Sequence, residues 1–153
     1  MKRKSLLYLA VAGLAGGIVG IAPLTGRTGE ASAQPTAEAP APGAPEAKVK
    51  SLLSKDLKEF PGKEGLMITV EYPPGSEDPV HRHNAHAFVY VLEGSIVMQV
   101  KGGKEVTLKP GDTFYEGPDD VHTVGRNASK TDPAKFVVFF VKDKGAPLLI
   151  PVK

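Results

Sequence analysis

Residues 75–94, GSEDPVHRHNAHAFVYVLEG, join a cluster of histidines to an apolar strand. Three of the four histidines in the chain, His81, His83 and His86, fall within six positions of this stretch. In extended backbone His81 and His83 project from the same face, because side chains alternate with a period of two. Neutral imidazole nitrogens bind zinc, copper, iron, nickel and manganese. Taken alone, however, so short a pattern favours solvated loop histidines over a pair of metal ligands.

The fourth histidine, His122, ends a second segment, PGDTFYEGPDDVH, at residues 110–122. Every histidine of the chain therefore lies in one of two short stretches. A third imidazole from this segment would complete a three-nitrogen site with His81 and His83, provided that the fold brings the two stretches together.

Short apolar segments separated by Gly and Pro turns predict an all-β sandwich or barrel. Residues 66–72 alternate as a half-buried strand does, and residues 88–92 and 95–100 resemble a hairpin turning at Glu93-Gly94. Residues 136–141, FVVFFV, are apolar at every position, which predicts a strand buried on both faces. Further short strands are expected at 105–108, 113–115 and 121–124.

These apolar segments are expected to share one core, built from residues 66–72, 88–100 and 136–141. Only residues 51–60 show a weak helical period. A small barrel with an open mouth is a natural place to hold a metal or a small ligand.

Residues 1–33 have the pattern of an export signal, with a basic start, an apolar run over 6–22 and the A-x-A cleavage site Ala31-Ser32-Ala33. The apolar run is short for a membrane span, so cleavage is favoured over a retained anchor, and no stable span is expected afterwards. Residues 34–47 are rich in Pro and Ala and predict a linker. The folded domain is expected at 48–153, in a protein delivered to the periplasm or secreted.

Composition limits the function further. The 153 residues are 41% hydrophobic and 24% charged, which fits one globular domain. The net charge is +2, and no basic run with interleaved aromatic residues is present, so nucleic acid is not an expected partner. There is no cysteine, which excludes disulfides. The composition is compatible with a homodimer and with a small-molecule ligand.

The two histidine segments resemble the two motifs of the cupin superfamily. Gly75, His81-x-His83 and Gly94 resemble the first motif, while Gly111 and His122, eleven residues apart, resemble the second. The resemblance covers residues 66–141. It implies a double-stranded β-helix, or jelly-roll barrel, that holds a divalent metal inside. It also implies His81, His83 and His122 as ligands.

The sequence departs from the motifs at two places. The first motif should supply a glutamate three or four residues after its second histidine, but these positions are Ala87 and Phe88. In the second motif, the expected proline, glycine and asparagine are displaced. The nearest donor to the missing carboxylate is His86, and we hypothesise that a small bulge turns His86 inward as a fourth ligand. The alternative is a rim histidine that contacts solvent or substrate.

Other polar side chains of the second segment are candidates for the site. Phe114, Tyr115 and Glu116 are expected near the mouth of the barrel, and Tyr115 and Glu116 are candidate catalytic residues. Glu116 could act as a base or as a replacement ligand, but a carboxylate at the rim, or one that contacts a ligand of the metal without touching the metal, is favoured. Asp120 could orient the imidazole of His122 or could serve only as a turn residue.

Three classes of function remain open. The first is an enzyme of the dioxygenase, isomerase or lyase kind that uses one divalent metal, namely iron, manganese, nickel, copper or zinc. The second is an exported protein that binds a small chelating or anionic molecule, or a metal, without turnover. The third is an interaction module that uses only the barrel, and it leaves the histidines unexplained.

Overall fold

A computed structural model describes residues 43–152 of the chain. The predicted signal segment, residues 1–33, and the linker up to residue 42 lie outside the described residues, so these predictions stand as made. Within residues 43–152 the fold is all-β, as the sequence predicts. This part of the chain contains no helix with the length and apolarity needed to cross a membrane.

The described residues form ten strands. They are β1 (Lys48–Asp56), β2 (Lys63–Tyr72), β3 (His81–Arg82), β4 (Ala85–Glu93), β5 (Ile96–Val100), β6 (Val106–Leu108), β7 (Thr113–Glu116), β8 (Val121–Asn127), β9 (Ala134–Asp143) and β10 (Ile150–Pro151).

The strands make two five-stranded antiparallel sheets. The first sheet has the order β1-β2-β9-β4-β7, and the second has the order β10-β3-β8-β5-β6. One shared core lies between them, because its buried side chains come from both sheets. Each fully buried aliphatic or aromatic side chain of this kind stabilises the fold by about 1.5–3 kcal/mol. The predicted core segments all contribute: Ile68, Val70, Tyr72, Val89, Val91, Ile96, Met98, Phe136, Val138 and Phe140.

Strand β9 is buried on one face only. Phe136, Val138 and Phe140 lie in the core, whereas the alternate residues between them are half-buried on the outer face of the first sheet. The prediction that 136–141 is buried on both faces is therefore wrong. Its uniformly apolar sequence reflects a central strand whose outer side chains are partly covered by neighbours on β2 and β4.

The turn at Glu93-Gly94 does not close a hairpin, contrary to the prediction. Strand β4 pairs with β9 and β7, whereas β5 pairs with β8 and β6, so the chain crosses from the first sheet to the second at this turn. Gly94 has a φ of 69°, and a Cβ there would lie 2.5 Å from the carbonyl oxygen of Pro133. The turn thus requires glycine both for its conformation and for its close approach.

Residues 51–60 are not helical. Most of this segment belongs to β1, which pairs along its length with β2. Long-range ladder hydrogen bonds override the weak helical period, as tertiary context commonly does. All nine residues of β1 are exposed, in keeping with its position at the edge of the first sheet.

An apolar row crosses the outer face of the first sheet. Leu53, Met67, Phe139, Phe88 and Tyr115 stand directly opposite one another on successive strands, and residues opposed in this way share a face. Leu53, Phe88 and Tyr115 are each about half exposed. Large contiguous apolar patches mark surfaces that bind a partner. The homodimer stays a prediction.

Candidate metal site

The second sheet brings two of the predicted ligands together. His81 on β3 and His122 on β8 are directly opposed in the antiparallel ladder, although 41 positions separate them in the sequence. Opposed residues project to the same face, which here is the interior. His83 follows β3 in the connection to β4. The three imidazoles offer ligand atoms that all lie within 4.8 Å of one another.

Backbone carbonyls fix the orientation of two of these rings. Nδ1 of His81 lies 2.7 Å from the carbonyl oxygen of Pro79, and Nδ1 of His83 is hydrogen-bonded to the carbonyl oxygen of Leu148. A carbonyl only accepts, so each Nδ1 carries the hydrogen and each Nε2 keeps its lone pair. The two Nε2 atoms are 3.2 Å apart. Two lone pairs facing each other at this distance create a site for a cation, and the carbonyls orient the rings as partners of metal-bound histidines do.

Burial keeps the three imidazoles neutral. Loss of solvation lowers the pKa of His81 and of His83. It lowers the pKa of His122 to about 3, and the two neighbouring imidazoles add to the effect. Neutral imidazole is the form that binds metal, so the site needs no deprotonation of these side chains near pH 7.

Glu116 lies beside this cluster, next to His83 and His122, and is not among the groups whose ligand atoms all lie within 4.8 Å of one another. It ends β7, where it stands opposite Ala87 of β4, and its side chain is buried, with 3% of the residue exposed. Its Oε2 is 3.6 Å from Nε2 of His83 and 3.5 Å from Nδ1 of His122. Burial raises the pKa of Glu116 to about 7, and repulsion from Asp120 and Asp78 adds to the shift. The prediction of a carboxylate at the rim is therefore wrong, whereas the alternative of a carboxylate beside a ligating histidine stays a prediction.

Several polar atoms of this cluster and of Glu116 lack hydrogen-bond partners. Among the described residues, Oε2 of Glu116 and both ring nitrogens of His122 have none. A buried polar atom without a partner costs about 1–3 kcal/mol. A cation bound between one ring nitrogen of His122 and the carboxylate of Glu116 would satisfy both of those atoms, and the other ring nitrogen of His122 would carry the hydrogen. The donor set, imidazole nitrogen with one carboxylate oxygen, suits zinc, iron, nickel, copper or manganese. The residues present fit a divalent transition metal.

His86 and Tyr115 lie on the opposite face of the first sheet. The β4–β9 ladder runs without a register shift from Ala85 to Val91, so His86 points outward between the buried residues Ala85 and Ala87. His86 is exposed, and its Nδ1 lies 2.7 Å from the hydroxyl of Tyr115. The bulge that would turn His86 inward is not formed. This placement corrects both the four-histidine hypothesis and the assignment of Tyr115 to the mouth of the barrel.

The remaining candidates of the second segment have structural roles. Phe114 packs against the core. Asp120 accepts a hydrogen bond from the backbone N–H of Gly117 at 2.7 Å, which makes it a turn residue. His122 has no hydrogen bond to Asp120 within the described part of the chain. The effect of Asp120 on the site is thus electrostatic: its negative charge helps to raise the pKa of Glu116.

The sequence analysis did not identify a second polar pair beside the site. The hydroxyl of Tyr72 donates to Oδ2 of Asp78, and burial raises the pKa of both groups. Gly125 separates this pair from His122: a Cβ at position 125 would lie 2.9 Å from Cε1 of His122 and 3.2 Å from the Tyr72 hydroxyl. A glycine inside a strand is the available signal for such a close approach.

A cavity of about 330 Å³ opens beside the histidines. Its walls are mainly apolar side chains from both sheets, together with Leu148 and Leu149 from the segment before β10. Glu46 and Ala47 also line it, so the cavity wall begins before the predicted domain start at Lys48. Its charged side chains are acidic. Neither lysine nor arginine occurs among the described residues that line it, and the acidic ones are Glu46, Glu77, Asp78 and Glu116.

Comparison with known proteins agrees with this architecture. The family model described as "Cupin domain" matches residues 68–140. An oxalate-binding protein of Thermotoga maritima is 31% identical over 91 residues, which cover 59% of this chain and 72% of the relative.

Solved structures share the fold. A Klebsiella pneumoniae protein with a double-stranded β-helix domain matches with a TM-score of 0.55 and 21% identity, over 74% of this chain and 90% of its own. A recombinant oxalate oxidase in complex with glycolate matches with a TM-score of 0.53 and 25% identity, over 72% of this chain and 56% of its own. A polyketide cyclase of Streptomyces resistomycificus matches with a TM-score of 0.55 and 20% identity, over 72% and 74% respectively. The two-sheet architecture and these matches confirm the predicted double-stranded β-helix, and the chain belongs to the cupin superfamily.

Proposed function

We propose that the protein binds one divalent transition metal through His81, His83 and His122 and uses it to bind a small chelating carboxylate. The observation that carries the proposal is the convergence of three neutral imidazoles beside a cavity, with the Nε2 lone pairs of His81 and His83 facing each other. A metal bound there supplies a Lewis acid with open coordination positions, which attract anionic donors.

The charges of the cavity support a metal-dependent mode of binding. Its described charged side chains are acidic, so the protein offers an anionic ligand no cationic side chain there. The metal would be the attractive charge, and the apolar walls would exclude water from the complex. The relative that binds oxalate makes small chelating carboxylates the first class to test.

Calorimetric titration tests this proposal. We expect oxalate to bind the metal-loaded protein with one molecule per chain, and to bind at least about tenfold more tightly than acetate, which offers a poorer chelate. Protein stripped of metal should bind neither. Equal binding of oxalate by the stripped protein would contradict the proposal, as would failure of the loaded protein to bind any chelating carboxylate.

Turnover of the ligand is a second candidate function, favoured by the Tyr72–Asp78 pair. Asp78 lines the cavity, and its hydrogen bond to Tyr72 gives the site a pair that could hold or move a proton beside a bound ligand. This would make the protein an enzyme of the dioxygenase, isomerase or lyase kind. Oxygen consumption and product analysis with the ligands that bind distinguish turnover from simple capture.

We also propose that the protein is exported and acts in the periplasm or outside the cell. The basic start, the apolar run and the Ala31-Ser32-Ala33 site support cleavage after Ala33. Intact-mass measurement of protein recovered from the exporting cell should give a chain that starts at Gln34. A chain that still starts at Met1 and fractionates with the membrane would mean that the segment is an anchor.

A further inference from the structure

The first cupin motif of this chain has lost its carboxylate. The motif position after His83 is occupied by Ala87, which faces the interior and is fully buried. A methyl group cannot bind a metal. Strand β4 therefore carries a small side chain at the position where the motif has a glutamate, and this leaves unfilled volume in the interior.

The side chain of Glu116, on the neighbouring strand β7, can occupy this volume. In the β4–β7 ladder, Glu116 stands directly opposite Ala87, and both side chains point into the core. The Cβ atoms of directly opposed residues are about 4.5–5.5 Å apart, so a carboxylate can reach one central point from either position. A small residue at 87 leaves room for the side chain of Glu116 to do so.

The distances suit direct coordination. Two donors that each lie about 2.1 Å from one ion are separated by roughly 3–3.5 Å, depending on the coordination geometry. The Nε2 atoms of His81 and His83 are 3.2 Å apart. Oε2 of Glu116 lies 3.6 Å from Nε2 of His83 and 3.5 Å from Nδ1 of His122. Both distances are close to the separation expected of two donors to one ion.

Other roles of the carboxylate explain less. A carboxylate that orients a ligating histidine accepts a hydrogen bond from the ring, but Nδ1 of His81 and Nδ1 of His83 are already bonded to backbone carbonyls. Nδ1 of His122 lies 3.5 Å from Oε2 of Glu116, and no hydrogen bond joins these two atoms. Oε2 has no hydrogen-bond donor within residues 43–152. It also lies too deep, with 3% of the residue exposed, to be a rim group.

We infer that Glu116 is the fourth protein ligand of the metal and replaces, from the neighbouring strand, the glutamate that the first motif lacks. This inference rests on the proposed metal site. The ligand set becomes three nitrogens and one carboxylate oxygen, which lowers the net charge of a divalent centre from +2 to +1. The four side chains that would hold the metal all line the cavity, so a small ligand in the cavity could reach it.

Metal affinity of the Glu116→Gln variant tests the inference. Glutamine keeps the shape of the side chain but removes its charge, and we expect divalent metal affinity, measured by competition with a chromophoric chelator, to fall about 100-fold or more. Adding Ala87→Glu to Glu116→Ala should return the affinity to within about tenfold of the wild type, because the carboxylate re-enters from the opposed position. His86→Ala, an outer-face histidine, is the matched control and should be unchanged.

The outcomes separate the inference from the proposed function. Wild-type affinity in Glu116→Gln, together with loss of binding in His81→Ala, would overturn the inference alone. Absence of metal binding by the wild type would overturn the proposed function. An infrared difference spectrum of the wild type on metal addition needs no variant: we expect the bands of a metal-bound carboxylate, and a spectrum without carboxylate changes would overturn the inference.

Discussion

Replacing His122 by alanine is expected to abolish metal binding as completely as replacing His81, with a loss of affinity of about 100-fold or more. Even partners one step removed from a metal are commonly worth 10- to 100-fold, and a direct ligand should cost at least as much. The two histidines are opposed in one ladder and lie in the same buried cluster, so neither has a spare substitute among the described side chains.

Competition with a chromophoric chelator measures the loss directly. His86→Ala is the control, because it removes an imidazole from the same stretch of sequence but from the exposed face of the first sheet. Unaltered affinity in either His81→Ala or His122→Ala would remove that residue from the site.

The Glu116→Gln substitution should stabilise the metal-free protein, and metal should remove most of that gain. In the metal-free protein, burial raises the pKa of Glu116 from an ordinary 4.5 to about 7. The folded state then binds more protons than the unfolded state between these values, so the carboxyl's contribution is full below pH 4.5 and is lost as pH rises through 7. The buried charge at pH 8 therefore costs about 3 kcal/mol, on the order of 1.4 kcal/mol for each unit of pKa. Glutamine removes this cost.

Thermal unfolding of metal-free protein at pH 8 should therefore give a higher Tm for Glu116→Gln, by on the order of 10 °C for a domain of this size. The difference should vanish at pH 4. Metal at about 100 times the dissociation constant of the wild type should stabilise the wild type by about 2.7 kcal/mol, but a variant that binds about 100-fold more weakly by only about 0.4 kcal/mol, so the difference in stability should shrink to less than about 1 kcal/mol. A variant that is less stable than the wild type in metal-free protein at pH 8 would contradict this assignment of the buried charge.

The contribution of the histidines to folding stability has the opposite pH dependence to that of Glu116. The two contributions can therefore be measured separately. The folded-state pKa of His122 is about 3, below its ordinary value of 6.5, so the unfolded state binds more protons between these values. Its contribution is present above pH 6.5 and declines as pH falls toward 3. Acid should therefore destabilise the metal-free protein whether residue 116 is glutamate or glutamine.

Local pattern predicts much of this fold and three of the candidate ligands. The period-two spacing of His81 and His83, the distant His122 and the alternating strands are all visible in the sequence, and the structure agrees with them. The same alternation argues that His86 points outward, and the structure follows it. The hypothesis of a bulge failed because β4 begins at Ala85 and stays in register with β9.

What local pattern does not contain is the pairing of distant strands. The register that sets Glu116 opposite Ala87 joins residues 29 positions apart, and no local period specifies it. At Gly94 the chain crosses from the first sheet to the second, because β4 and β5 each pair with strands that come later in the sequence. Local sequence does not show this pairing, so the two-residue turn between two apolar strands was predicted to close a hairpin. The carbonyl of Leu148 that orients His83 lies 65 positions from it and gives no sequence signal.

Elemental analysis of the purified protein tests the central claim most directly. The mature chain, recovered from the exporting cell without added metal and then equilibrated with the divalent ions of iron, manganese, nickel, copper or zinc, should hold one ion per chain. Because affinity favours copper and zinc while supply in the cell can differ, the native ion is identified by analysis before any ion is added. His122→Ala should hold none, and His86→Ala should hold one. A wild-type chain that holds no ion under any of these conditions would contradict the account, and so would full occupancy in His122→Ala.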